Sequence, residues 1–346
     1  MKDLLQKSWL SRGWLACLLL PLAWVHGLAV NARRLLYHLG FFKSERFPVA
    51  VVVVGNVVVG GAGKTPLVIA LTTHLQARGH HVGVVSRGYG RSVDDTLEVG
   101  TDTPVEMSGD EPALIKRATA APVFVASKRT DAVRALLAAY PNTSVVLCDD
   151  GLQHYALRRD IEIAAFDDRG IGNGWLLPAG PLREPWPERL RCGLDFVLHT
   201  GQAPAFEGFS SKRRLADYAI DSNGNRIALA SLKESSVTAV AAIAEPEAFF
   251  RMLRQRGIML QTSIALPDHH DFSEFSDFNL SSFAGQTVLC TDKDAVKLFS
   301  KPHVAETRLL AVPLEFSPEP AFLAALDARL AQVISHLPSR HGHQTS

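Results

Sequence analysis

Six consecutive residues, Gly60-Gly61-Ala62-Gly63-Lys64-Thr65, carry the clearest chemistry in the chain. Glycines let backbone N–H groups converge on phosphate oxygens, and a helix starting here turns its positive end toward the anion. Lys64 is placed to reach the β- and γ-phosphates of a nucleotide, and Thr65 to offer its hydroxyl to Mg2+. The longer G-x-x-x-x-G-K-T loop wants glycine at position 58, where Val58 stands, so the segment matches the shorter GGxGKT form. A metal in such a loop needs acidic partners. The run Val145-Val146-Leu147-Cys148-Asp149-Asp150 supplies them, as an apolar strand that sets carboxylates at the carboxyl edge of a sheet.

Mg-nucleotide is therefore the expected ligand, but the loop does not name an acceptor. Four further clusters are dense enough in functional side chains to do so: Ser86-Arg87-Gly88-Tyr89-Gly90-Arg91, Gly109-Asp110-Glu111-Pro112, Gly151-Leu152-Gln153-His154 and Asp268-His269-His270. Taken singly, each has a plain structural alternative. Arg87 and Arg91 suit an exposed surface, Asp110 suits a helix N-cap, and His269 and His270 suit a solvated loop.

The elements that must position these residues are legible as an alternation. Residues 48–54 form a continuous valine-rich apolar run, the pattern of a buried parallel strand. A helix is expected over 66–78, ending at Gly79. Strands follow at 82–86, 123–126, 144–148 and 161–166, with helices at 113–119 and 131–140. This predicts a parallel sheet covered on both faces. Residues 168–190 are rich in Gly and Pro without a period, as in a long functional loop. Polar residues and turn signals such as Ser222-Asn223-Gly224 dominate 200–235 and suggest a boundary. Strand and helix alternate again at 237–243, 246–256, 288–291 and 309–314, and a last helix is expected over 321–336. The expected organisation is an N-terminal helical segment (1–45), a nucleotide-binding core (46–205), a hinge or linker (206–236) and a smaller α/β lobe with a C-terminal helix (237–346).

Composition narrows the class. The 346 residues are 47% hydrophobic and 21% charged, which suits a folded globular chain. A net charge of +1 provides no field for nucleic acid, which is not an expected partner. Cys17, Cys148, Cys192 and Cys290 lie far apart with no CxxC pair, so neither a zinc knuckle nor a disulfide framework is expected.

Residues 14–30, WLACLLLPLAWVHGLAV, contain no charge and Pro21 near the middle. As one helix they would reach roughly 25 Å, short of a ~30 Å hydrocarbon core. Four readings compete: a signal peptide cleaved near Gly27-Leu28-Ala29, a spanning helix, a buried core helix, and a helix lying in the membrane interface or docked on a membrane-bound partner. A nucleotide site downstream argues against export, and the interfacial helix is the expectation adopted.

The order GGAGKTP, SRGYGR, GDEP, DDGLQH, GNGWLLPAGPLREP, DHH, TDKDAVK resembles the tetraacyldisaccharide 4'-kinase family, the lipid A 4'-kinases. The resemblance spans nearly the whole chain and is most specific in DDGxQH and LPAGPLREP. The family's loop also lacks the early glycine, so Val58 is no departure from it. The resemblance implies a two-lobed P-loop-like α/β kinase of lipid A (lipopolysaccharide) biosynthesis at the cytoplasmic face of the bacterial inner membrane. It would use ATP and Mg2+ to phosphorylate the 4'-hydroxyl of an acylated disaccharide 1-phosphate lipid, giving lipid IVA. By motif match, Lys64, Asp110 and His269 become catalytic, with Asp110 the base and His269 assisting it from the second lobe. Gly60, Gly61, Ala62, Gly63, Lys64, Thr65, Arg87 and Arg129 take phosphate. Thr65, Glu111, Asp149 and Asp150 lie on the metal side, and His154, Asn173 and Arg183 on the acceptor side. An acylated acceptor also gives the N-terminal helix a purpose, since basic residues flanking it favour anionic lipid.

The rival reading is a partner-switching ATPase with a GGxGKT loop. Those loops commonly carry lysine just before the first glycine, where this chain has Val59. A guanine-reading motif at Thr291-Asp292-Lys293-Asp294 has the wrong spacing.

Overall fold

The computed structural model describes residues 8–187, 194–272, 280–301 and 307–337. Its centre is β1 (Ala50–Gly55), in which every residue is buried. A strand of this kind needs a neighbour on each edge and a layer on each face. The edges are taken by β5 (Val145–Asp149) and β6 (Ile161–Phe166), both parallel to it. Outward on the β5 side lie β2 (Val82–Ser86), β4 (Val123–Val125) and the short antiparallel β3 (Leu97–Glu98). Outward on the β6 side lie β7 (Leu194–His199), β8 (Phe209–Leu215) and the antiparallel edge strand β15 (Leu314–Pro318).

The two faces of this sheet are covered separately. Leu67, Leu71 and Leu75 of α3 (Lys64–Ala77), Ile115 of α5 (Asp110–Thr119) and Phe322 and Leu326 of α9 (Pro320–Ser335) pack on one face. Val133 and Leu136 of α6 (Arg129–Ala139) pack on the other, with Leu152 and Leu182. A short helix, α4 (Val105–Ser108), leads into α5.

A second sheet runs β10 (Arg226–Ala228), β9 (Tyr218–Ile220), β14 (Arg308–Val312), β13 (Thr287–Thr291), β11 (Val237–Ala241), β12 (Leu260–Ala265). Its last four strands are parallel. α7 (Pro246–Gln255) covers one face through Phe249, Phe250 and Leu253, and α8 (Asp292–Leu298) the other through Ala295 and Leu298.

The expected elements from 48 to 166 are all present, and the strands at 82–86 and 161–166 match to the residue. α5 begins at Asp110, three residues before the expected start, and Gly109 rather than Asp110 holds the cap position. Within 206–236, β8 extends the first sheet, and β9 and β10 extend the second. Strand β8, Phe209–Leu215, is polar because Lys212 and Arg214 are exposed while Arg213 between them turns inward, and a stretch with three consecutive cations reads as a loop. The chain crosses between the sheets twice, around 216 and 313, where the N–H of Ala216 donates to the carbonyl of Pro313 at 2.9 Å. The first lobe thus reclaims β15 and α9 from the C-terminal portion.

At the N-terminus the apolar run is broken into α1 (Trp14–Leu18) and α2 (Leu20–His38), with Pro21 in the first turn of α2, where proline is tolerated. Among the described residues no helix is long and apolar enough to cross a membrane. Nor is this a core helix. Ala16, Ala23 and Gly27 face the body, and Trp14, Leu18, Leu22, Trp24, Val25 and Leu28 stand exposed. A Cβ on Gly27 would lie 2.8 Å from Leu176, so the helix is seated against the 168–190 loop at close range.

Candidate active site

Strand β1 delivers the glycine loop to the head of the first sheet. Gly60 and Gly63 both sit at positive φ, 105° and 68°, which any side chain would strain. Asn56 Nδ2 donates to the carbonyl of Gly60 at 3.1 Å and ties the loop to its own strand. Lys64, the first residue of α3, lies back over the loop, with Nζ 3.3 Å from Asn56 Oδ1 and 3.7 Å from Asp150.

Strand β5 ends in the two carboxylates, and their environments differ. Asp149 is fully buried, and among the described residues neither carboxylate oxygen has a hydrogen-bond partner. Burial, then the nearby charges of Glu111 and Asp150, push it up to about 7. For Asp150, burial acts upward, and the cations Lys64 and Arg183 outweigh it and hold the carboxyl below its ordinary value. Arg183 Nη1 donates to Asp150 Oδ1 at 3.1 Å, and Arg129 Nη2 donates to its backbone carbonyl at 3.0 Å.

The orphaned oxygens of Asp149, with Glu111 and Asp150 nearby, have the chemistry of a divalent-cation site, so these carboxylates with Thr65 fit Mg2+. No group of three His, Cys, Asp or Glu side chains among the described residues is drawn together as a ready cage. Mg2+ held by one or two carboxylates, phosphates and water needs none.

Across the cleft, α5 presents Asp110, 4% exposed, to the second lobe. His269 Nδ1 lies 2.8 Å from its Oδ2, with Lys297 Nζ at 3.3 Å and Lys293 Nζ at 3.7 Å from the same oxygen. Burial would raise this carboxyl, but the His269 hydrogen bond and the two ammonium groups outweigh it, keeping the group well below the usual carboxylate range. His269 itself sits at φ 66°, an uncommon conformation for a residue with a side chain. The ring of Tyr89 lies 5.5 Å from its own.

The cleft between the lobes has a volume of about 2300 Å³. Residues 60–65 of the loop, Arg87, Arg129 and His269 line it, as do Glu111, Asp150, His154 and Arg183. Asp110 touches the lining residues His269 and Lys293. Arg129 Nε and His154 Nε2 are buried with no hydrogen-bond partner among the described residues. Burial, then the charges of Arg129, Arg159, Arg33 and Arg87, press His154 down to about 4, so it is neutral at pH 7.

Asn173 is placed elsewhere. Its Nδ2 donates to the carbonyls of Ser11 and Ala179, and its Oδ1 accepts from Trp175 N–H. Its own N–H donates to the carbonyl of Trp9 at 2.7 Å. The residue clasps the N-terminal segment to the loop and does not line the cleft.

Sequence reasoning assigned no role to several groups at the site. Arg169 Nη2 donates to the Gly61 carbonyl at 3.3 Å, and Thr200 Oγ1 to the Ala62 carbonyl at 2.9 Å. Arg213, from β8, lies so close that a Cβ on Gly63 would meet its guanidinium at 2.5 Å. Glu184, fully buried, is held by Gln153 and Tyr155 at 2.7 and 2.8 Å. Lys293 and Lys297 belong to the TDKDAVK stretch, and their i, i+4 spacing was the available signal that both face one way.

A glycine loop with an invading lysine, strand-end carboxylates beside it, and a carboxylate–histidine pair facing it from both lobes are the parts of a nucleotide-dependent phosphotransferase. Comparison with known proteins gives the particular family. Residues 15–331 match the family model for tetraacyldisaccharide-1-P 4'-kinase. A tetraacyldisaccharide 4'-kinase from Polaromonas naphthalenivorans (strain CJ2) is 66% identical over 346 residues, covering all of both chains. One from Polaromonas sp. (strain JS666) is 67% identical over 340 residues, 98% of this chain and 100% of that one. The crystal structure of LpxK from Aquifex aeolicus, described as a complex with ATP, superimposes with a TM-score of 0.76 at 30% identity, covering 92% of this chain and 99% of the other. The chain belongs to the tetraacyldisaccharide 1-phosphate 4'-kinase family.

Proposed function

We propose that this protein transfers the γ-phosphate of ATP to the 4'-hydroxyl of tetraacyldisaccharide 1-phosphate. The observation that carries the catalytic roles is the Asp110–His269 contact across the cleft from the loop. Backbone N–H groups of 60–65 receive the phosphates, and Lys64 turns from Asp150 to the β- and γ-oxygens. Mg2+, when bound by Thr65 and the carboxylates of Glu111, Asp149 and Asp150, neutralises charge on the phosphates. Asp110 takes the hydroxyl proton as the 4'-oxygen forms its bond to Pγ, the bond from Pγ to the β,γ-bridging oxygen breaks, and ADP leaves. A base so placed contributes about 10²–10⁴-fold in rate. His269, arriving from the second lobe, fixes the orientation of Asp110 and makes the completed site depend on both lobes being together. That arrangement guards ATP against hydrolysis in the absence of acceptor.

The exposed apolar side chains of α1 and α2 support seating on the cytoplasmic face of the inner membrane, where an acylated acceptor resides. The test uses γ-labelled ATP, Mg2+ and the acceptor in detergent micelles. Label in extracted lipid, abolished in Lys64→Ala and strongly reduced in Asp110→Ala, is the expected result. Label released only as free phosphate, indifferent to lipid, would reject the proposal in favour of a switch ATPase.

A further inference from the structure

The two oxygens of Asp110 are used differently. Among the described residues Oδ1 accepts only the N–H of Glu111, at 3.1 Å, from its own helix. Oδ2 takes the three second-lobe groups, His269, Lys293 and Lys297. The lysines are mounted rigidly. Thr291 caps α8 by accepting the N–H of Asp294, and Asp294 Oδ2 accepts the N–H of Ala242 at 3.1 Å, pinning the start of the helix to the strand ends. One turn separates Lys293 from Lys297, so both reach the same side. Each has a second anchor: Lys293 Nζ lies 3.0 Å from Asp268 Oδ1, and Lys297 Nζ lies 3.1 Å from the carbonyl of His270. They therefore hold both flanks of the His269 turn as well as the carboxylate.

We infer that Lys293 and Lys297 are positioning residues that fix Asp110 by Oδ2 and the His269 turn by its flanks, leaving Oδ1 as the oxygen that meets the acceptor hydroxyl. This rests on the reading of Asp110 as the base. The lysines are assigned to act through that residue, although Lys293 also lines the cleft. A carboxylate free to rotate would meet the hydroxyl with either oxygen at varied distance, and a misplacement near 1 Å costs about 10²-fold.

The experiment is a double-mutant cycle on the full chain with ATP and acceptor lipid. Lys293→Gln and Lys297→Gln are each expected to lower kcat by about 10- to 100-fold, with KM for ATP unchanged. Lys293→Arg and Lys297→Arg are expected to recover part of the loss, because the cation is retained. In an Asp110→Asn background the same Gln changes are expected to cost less than about twofold more, the mark of residues acting as a unit. Nucleotide-analogue binding, measured on every variant, corrects rates to the folded fraction. Losses that multiply in the Asp110→Asn background would overturn the inference, because the lysines would then act on substrate directly. Gln variants with normal kcat would also overturn it. A fully active Asp110→Asn enzyme would instead remove the base reading itself, a separate and recognisable outcome.

Discussion

Nδ1 of His269 stands 2.8 Å from Oδ2 of Asp110, although 159 positions separate the two residues in the chain. The contact exists only because α5 of one lobe and the loop after β12 of the other face each other. His269→Ala is expected to lower lipid phosphorylation by about 10²-fold, with ATP affinity within error of the parent. Steady-state kinetics with the lipid acceptor check this, and an unchanged kcat would dissolve the pair.

Asp149 is predicted to be a liability without its cation. Asp149→Asn is expected to melt no lower than the parent when ligand-free, because a buried unpaired carboxylate has been removed. The same variant is expected to lose the upward shift in Tm that Mg2+ and nucleotide together give the parent. Thermal melts with and without Mg2+ distinguish this from a purely structural role, in which the ligand-free variant would be the weaker one.

His154 sets a pH dependence of stability. Its folded value of about 4 lies below the ordinary 6.5. Between these values the unfolded chain takes up a proton that the folded one refuses. The His154 contribution is therefore complete above pH 6.5 and declines as pH falls toward 4. Denaturant midpoints of the parent and of His154→Gln, followed from pH 7 to pH 4, should converge toward the acid end. Parallel curves would mean that His154 does not titrate in this way.

Asn173 is expected to matter for stability, not for acceptor affinity. Asn173→Ala removes side-chain hydrogen bonds to Ser11, Ala179 and Trp175, at a cost of about 1–3 kcal/mol. Unfolding in urea should shift while KM for the lipid stays put. A large rise in KM with normal stability would return this residue to the acceptor site.

Leu22→Glu and Leu28→Glu test the exposed side of α2. Burying one leucine in lipid is worth at least about 1.5 kcal/mol, so each change should weaken binding to anionic vesicles by about tenfold or more. Nucleotide binding should be untouched, since both side chains point away from the body. Co-sedimentation with vesicles supplies the measurement, and undiminished binding would mean another surface carries the attachment.

Local chemistry was the legible part of the chain. The valines of β1 run straight into the glycines at positive φ, and the carboxylates directly end the apolar run of β5, so each signal is local: a buried strand meeting a phosphate loop, and a buried strand ending in acid. The motif residues Asp110 and His269 could be singled out, but their contact depends on how two lobes meet, which no spacing encodes. Strand β8 was missed because a strand this polar, with Lys212 and Arg214 turned outward, looks like a polar linker, and Arg213 went with it. Asn173 stood in a motif that resembles an acceptor wall, yet its partners are the carbonyls of Ser11 and Ala179, and a backbone carbonyl carries no sequence signal.

The double crossing near 216 and 313 has a consequence for how the protein can be made. The sheet that bears the phosphate loop gains its edge strand, Leu314–Pro318, and the covering helix Pro320–Ser335 only after the whole of the other sheet has been synthesised. A ribosome delivering the chain N-terminus first therefore releases a nucleotide lobe that stays unfinished until its last helix emerges, with the second lobe already complete inside it. No single cut in the described chain separates the strands of one sheet from those of the other.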